Sequence, residues 1–136
     1  MRSHCYLVGA GLDFADPDAE FARLLDAVRW LTDPQAHRAR LGLHELLVNI
    51  RSHAYEGGPG PIDVAMTATP GELTVTVTDW GRELPSMPVP ELPLLSEHGG
   101  YGLAIIHRAF DEVEYRRGTD RNRWTLRMLP DEARAR

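Results

Sequence analysis

The chain has 136 residues, 43% of them hydrophobic and 26% charged, and carries a net charge of −5. That length suits one domain with a real core and is short for two, while the acidic balance argues against a nucleic-acid binder and gives no attraction to an acidic membrane surface. Cys5 is the sole cysteine, which excludes an internal disulfide, and no apolar run approaches the roughly 18 residues of a membrane span. The expectation is a single cytoplasmic domain over residues 1–136 that binds a small ligand or a protein, with no direct nucleic acid and no membrane.

Residues Cys5 to Leu12 read as a first strand closed by Gly9 and Gly11. Asp16-Pro17 opens a helix, with Asp as cap and Pro at the first helical position. Phe21, Leu24, Leu25, Val28 and Leu31 carry its apolar face to about Leu31. Thr32-Asp33-Pro34-Gln35 then stops that helix and caps a second, which the spacing extends from Pro34 to about Glu56.

The second helix places Leu43, Leu46, Leu47, Ile50 and Ala54 in one apolar stripe that should face a core. Beside it, Glu45, Asn49 and His53 recur every four residues and line a polar edge. A carboxylate one turn from a carboxamide suits metal-assisted chemistry: the Asn oxygen is a neutral ligand for Mg²⁺, and the Glu can take a proton from a hydroxyl or from water. A merely solvated edge has the same spacing.

Gly57-Gly58-Pro59-Gly60-Pro61 ends the helix, and the period changes to two. Ile62, Val64 and Met66 alternate with Asp63, Ala65 and Thr67; Pro70-Gly71 turns; Leu73, Val75 and Val77 alternate with Thr74, Thr76 and Thr78. This is an antiparallel hairpin with one buried face. Asp79 has the parity of the buried set, so a strand that persists this far carries a carboxylate to the covered face, where it needs a donor. A strand that stops at Thr78 makes Asp79 a turn residue instead. Gly81, two residues on, leaves room for a close approach.

From Arg82 to His98 no period survives, and Pro85, Pro88, Pro90 and Pro93 exclude regular structure. Gly99-Gly100-Tyr101-Gly102-Leu103 follows, and Leu103, Ile106, Ala109 and Phe110 resume a helix. Glycines at a helix start suit an anion, and equally suit a plain hinge. Val113 and Tyr115 begin a strand, residues 117–122 turn, and Trp124, Leu126 and Met128 mark a last strand before a short charged tail.

Each signal is weak alone, but their order is specific. A helix with ExxxN, a hairpin ending in DxG, a Pro-rich loop, GxG at a helix start and two final strands resemble the histidine-kinase-like (GHKL) ATPase superfamily, and within it the stand-alone anti-sigma-factor serine/threonine kinases. The resemblance covers about Pro34 to Met128 through ELLVNIRSHAY, TVTDWG, PELPLLSEHGGYGLAII and DEVEY. It implies a two-layer α+β sandwich, with a mixed, mostly antiparallel sheet covered on one face by about three helices. It also implies ATP and Mg as cofactors.

On matching positions, Glu45 would be the general base and Asn49 the Mg²⁺ ligand, with His53 and Tyr55 matching an HxY pattern nearer the nucleotide. Asp79 would accept from the adenine amino group and Gly81 would admit the base. Residues 82–99 would be the lid, with His98, Gly100, Gly102 and Leu103 on the phosphates. The implied activity is phosphorylation of an anti-sigma-factor antagonist in a partner-switching system, with a sigma factor as a second partner and a homodimer through the N-terminal part of the chain. One departure stands out. Where some members carry an Arg before the GxG, this chain reads Glu97-His98-Gly99, which keeps open a non-catalytic regulator that binds nucleotide or only a partner.

Overall fold

The computed structural model describes residues 3–10, 17–57, 60–83 and 101–131, with side chains described from residue 21 onward except at 101–103. The elements are β1 (Ser3–Ala10), α1 (Pro17–Asp26), α2 (Asp33–Asn49), a π turn (Ile50–Ala54), β2 (Pro61–Thr69), β3 (Glu72–Asp79), α3 (Tyr101–Ala109), β4 (Glu112–Arg117) and β5 (Asn122–Met128). The sheet order is β1-β2-β3-β5-β4. Strand alternation puts Ile62, Val64, Met66 and Ala68 of β2, Leu73, Val75 and Val77 of β3, and Trp124, Leu126 and Met128 of β5 into one buried cluster with residues of all three helices. The result is the α+β sandwich of the sequence reading.

Every pairing among the described strands is antiparallel, so the expected mixed sheet is corrected. The reason is the strand order. The connection through α3 sets β4 in the same direction as β3, but β5 lies between them and pairs with both, so no parallel ladder forms.

α1 ends at Asp26, five residues before the Leu31 expected from the apolar spacing. Its chain leaves the helix through tighter bonds, Ala27 N to Leu24 O (3.2 Å) and Val28 N to Leu25 O (2.9 Å), and Trp30 Nε1 then donates to Thr69 O at 2.7 Å. Val28 nevertheless stays buried, which is why the periodicity read through.

α2 starts where the sequence indicates. Thr32 and Gln35 form a capping box, with Pro34 in the first turn. Leu43, Leu46, Leu47, Ile50 and Ala54 are all buried, as the stripe required. Gly42 sets the approach of α3: a Cβ there would stand 2.7 Å from Ala109 Cβ and 2.7 Å from Phe110 Cε2, so only glycine lets the two helices touch.

The second helix does not run regularly to Glu56. Beyond Asn49 the bonds lengthen to the π pattern, with Tyr55 N donating to Ile50 O at 3.1 Å, and Gly57 N then reaches one residue further, to Arg51 O at 2.7 Å, as the turn ends. One residue more than an α turn holds is accommodated there, and hydropathy carries no mark of it. β1 is shifted two residues toward the N-terminus of the expected strand, and its side chains, Cys5 included, lie outside those described.

Candidate functional site

The alternation of β3 persists to its last residue, so Asp79 faces the core and is 0% exposed. It sits in the sheet between Ile62 of β2 and Asn122 of β5. Asp79 Oδ1 accepts from Gly81 N at 2.9 Å and from Asn122 Nδ2 at 2.8 Å. Asp79 Oδ2 is buried and has no hydrogen-bond partner among the described residues. A buried carboxylate oxygen without a donor is costly, and it marks the place where a ligand N–H would be held. Burial pushes the Asp79 carboxyl above the usual carboxylate range, against the lowering pull of the Asn122 and Gly81 hydrogen bonds and the Arg117 charge.

Asn122, also 0% exposed, organises this corner. Its Nδ2 donates to Arg82 O at 2.9 Å as well as to Asp79, and its Oδ1 accepts from Tyr115 Oη at 2.5 Å and Arg117 Nη1 at 3.3 Å. Two donors on the amide oxygen fix which way the amide points, so its N–H₂ must face the carboxylate. Tyr115 is held in turn against the Trp124 ring, with centroids 4.8 Å apart. Trp124 Nε1, one step deeper on the same face, is buried and also lacks an acceptor among the described residues.

Sequence reading missed Asn122, Tyr115 and Arg117. A polar residue at the head of a strand reads as the end of a turn. The usable signal was register: once Asp79 is taken as buried, the strand facing it needs a donor there.

Gly81 accounts for itself through the protein's own backbone. A Cβ at Gly81 would lie 2.4 Å from Ala54 O and 2.7 Å from Ala54 Cβ, so the π turn packs directly on this residue. Arg82 N donates to the same Ala54 O at 2.9 Å. Tyr55 closes the other side: its hydroxyl donates to Pro61 O at 2.5 Å and accepts from Trp80 N at 2.9 Å, and burial raises its pKa. The π turn is thus pinned to the start of β2 and to the residues that follow Asp79. Trp80 is 37% exposed, and the Arg121 guanidinium stands 5.9 Å over its ring.

Glu45 and Asn49, one turn apart on α2, are both partly exposed. His53 follows them on the next turn. The π turn intervenes, its side chain is exposed, and its carbonyl accepts from Arg82 Nε at 2.7 Å. Arg82 is held there and in an exposed contact with Glu56 at 3.4 Å. Gly102 and Leu103 lie in the first turn of α3, with their side chains outside those described. His98, Gly100 and the lid from residue 84 onward lie outside the described residues.

A cavity of about 420 Å³, lined by Val28, Trp30, Ala68, Thr69 and Pro70 among others, sits at the opposite end of the β2–β3 hairpin and contains none of these residues. Among the described residues no cluster of three or more His, Cys, Asp or Glu side chains is arranged to hold a metal, and no helix is long and apolar enough to cross a membrane.

Residues 18–128 match the family model described as a histidine kinase-like ATPase domain. No curated protein matches the chain significantly.

Proposed function

The chain belongs to the histidine kinase-like ATPase domain family, and from that premise we propose that it is a Mg-ATP-dependent protein serine/threonine kinase acting on an anti-sigma-factor antagonist. The observation that carries the nucleotide part is Asp79 Oδ2, a buried acceptor left open at the end of β3. Such an acceptor fits an amino-bearing base and fits a pyrimidine or purine carbonyl badly. Asn49 offers a neutral oxygen to Mg²⁺, a ligand type that ion accepts.

When bound, Mg-ATP supplies the phosphoryl group that the acceptor oxygen takes as the bond to ADP breaks. The chain's own part is positional and basic. Asp79 holds the base end through the oxygen that Asn122 leaves free, and Glu45, one turn before Asn49, receives the proton of the attacking hydroxyl. Partial exposure of Glu45 suits a group that must be reached by a second protein.

Phosphate transfer to a purified antagonist should vanish in Glu45→Ala while ATP binding, read by calorimetry, stays within twofold of wild type. Equal transfer by that variant would remove Glu45 from the mechanism. A second reading, a regulator that binds nucleotide or a partner without transfer, is favoured by Glu97-His98-Gly99, which lacks an Arg before the GxG. Tight ATP binding with no transfer to any antagonist would establish it.

A further inference from the structure

Asp79 Oδ2 has a counterpart of opposite kind on the neighbouring strand. Trp124 is 5% exposed, and its Nε1 is buried with no hydrogen-bond partner among the described residues. An indole N–H only donates, and an ionised carboxylate oxygen only accepts. Register brings the two residues together. Asp79 pairs with Asn122 and Val77 with Trp124, and Asp79 and Trp124 both turn to the covered face. They are therefore a diagonal pair with Cα atoms about 7–8 Å apart, a spacing that an aromatic side chain spans.

A buried donor and a buried acceptor at that spacing would each offset the other's cost by bonding. These two do not bond, and the residues around them hold them so. Asn122 Nδ2 engages Asp79 Oδ1 at 2.8 Å, Asn122 Oδ1 accepts from the Tyr115 hydroxyl, and the Tyr115 ring lies 4.8 Å from the Trp124 ring, tilted by 49°. One amide thus fixes the carboxylate directly and the indole through Tyr115. A group that satisfies both open atoms must donate at one atom and accept at a neighbouring one. The amino edge of adenine does so, because its exocyclic N–H donates and the ring nitrogens N1 and N7 on either side accept.

We propose that Trp124 is a second reader of the base: its indole N–H donates to a ring nitrogen beside the adenine amino group while that amino group donates to Asp79 Oδ2. The inference rests on the nucleotide reading and adds the residue that recognises the ring itself. Asp79 selects the amino group, and Trp124 selects the acceptor next to it. A purine of the same shape without that nitrogen leaves the indole unmet.

The test uses Trp124→Phe, which keeps a ring against Tyr115 and removes the N–H. ATP, 1-deaza-ATP and 7-deaza-ATP are titrated by calorimetry into wild type and variant. In parallel, the indole N–H signals of the three tryptophans, labelled with ¹⁵N and assigned by substitution, are followed as ATP is added to wild type. The variant should bind ATP about fivefold more weakly, the worth of one hydrogen bond. One deaza analogue should bind wild type more weakly by a similar factor and bind wild type and variant alike, which names the nitrogen. The Trp124 signal should move downfield with ATP, while that of Trp30, already bonded to Thr69 O at 2.7 Å, stays in place. Equal ATP affinity in wild type and variant overturns the proposal, and a shared buried water then serves both atoms. Equal losses for ATP and both analogues in the variant also overturn it, because the substitution then acts through packing. The signal needs no variant to fold: ATP binding that leaves the Trp124 resonance unmoved overturns this proposal alone, whereas no ATP binding by wild type overturns the nucleotide reading and this proposal with it.

Discussion

Two buried polar clusters lie at the two ends of β5, and they are completed differently. Past Met128, Gln35 is 0% exposed and uses its whole amide: Nε2 donates to Leu129 O at 2.9 Å and to Asp131 Oδ1 at 3.3 Å, and Oε1 accepts from Thr32 N at 3.0 Å. At Asn122, the amide is equally saturated, but the carboxylate it serves keeps one oxygen without a partner. The first cluster closes the start of α2 onto the end of the sheet and has nothing left to offer. The second retains an unmet acceptor, which a structural cluster would have satisfied. The difference separates polar burial that holds a fold from polar burial that awaits a ligand.

That contrast can be broken by substitution. Gln35→Ala strands Leu129 O and the Thr32 backbone together, so it should lower unfolding free energy by about 3 kcal/mol in urea titration while ATP affinity stays at the wild-type value. Asn122→Ala should cost about 2 kcal/mol, and there the two readouts should fall together, with ATP affinity reduced tenfold or more because Asp79 loses the donor that orients it. Tyr115→Phe, which removes one of two donors to the Asn122 oxygen, should cost about 1 kcal/mol and leave most binding intact. If Asn122→Ala spares ATP affinity, the two clusters are alike after all.

The smallest stability effect belongs to Asp79→Asn, and its sign is informative. Burial raises the folded pKa of Asp79 above its unfolded value, so its proton is held more tightly in the fold. The favourable contribution is present below the ordinary carboxylate pKa and is lost as pH rises through the raised one. Asn does not titrate. The melting temperature of Asp79→Asn relative to wild type should therefore climb between acid and neutral pH, while its ATP affinity falls at least tenfold. A difference that is flat with pH would show that the carboxylate pays no penalty for its burial.

Much of this arrangement was legible in the residues. Alternation gave β2, β3 and β5, Thr32 to Gln35 gave the start of α2, and parity raised the burial of Asp79 as one of two outcomes. What was illegible has a common cause, since it depends on geometry that does not alter which residues are apolar. The π turn changes hydrogen-bond reach after Asn49 but keeps Ile50 and Ala54 buried, so a regular helix to Glu56 explained the same pattern. Gly81 was read for the space it opens; that the space is filled by Ala54 follows only from tertiary contact. The five-residue excess assigned to α1 came from Val28, which stays in the core outside any helix.

The π turn also makes the chain length between Asn49 and Tyr55 exacting. Removing one residue from Ile50–Ala54 would close the bulge into an ordinary α turn with Tyr55 still bonded to Ile50, whereas removing two would turn all that follows by about 100° and draw it back about 1.5 Å. The Tyr55 hydroxyl could then no longer meet Pro61 O and Trp80 N together. A two-residue deletion in this segment is thus a frame error in three dimensions: the polypeptide after it remains the same, while the helix addresses the wrong part of the sheet.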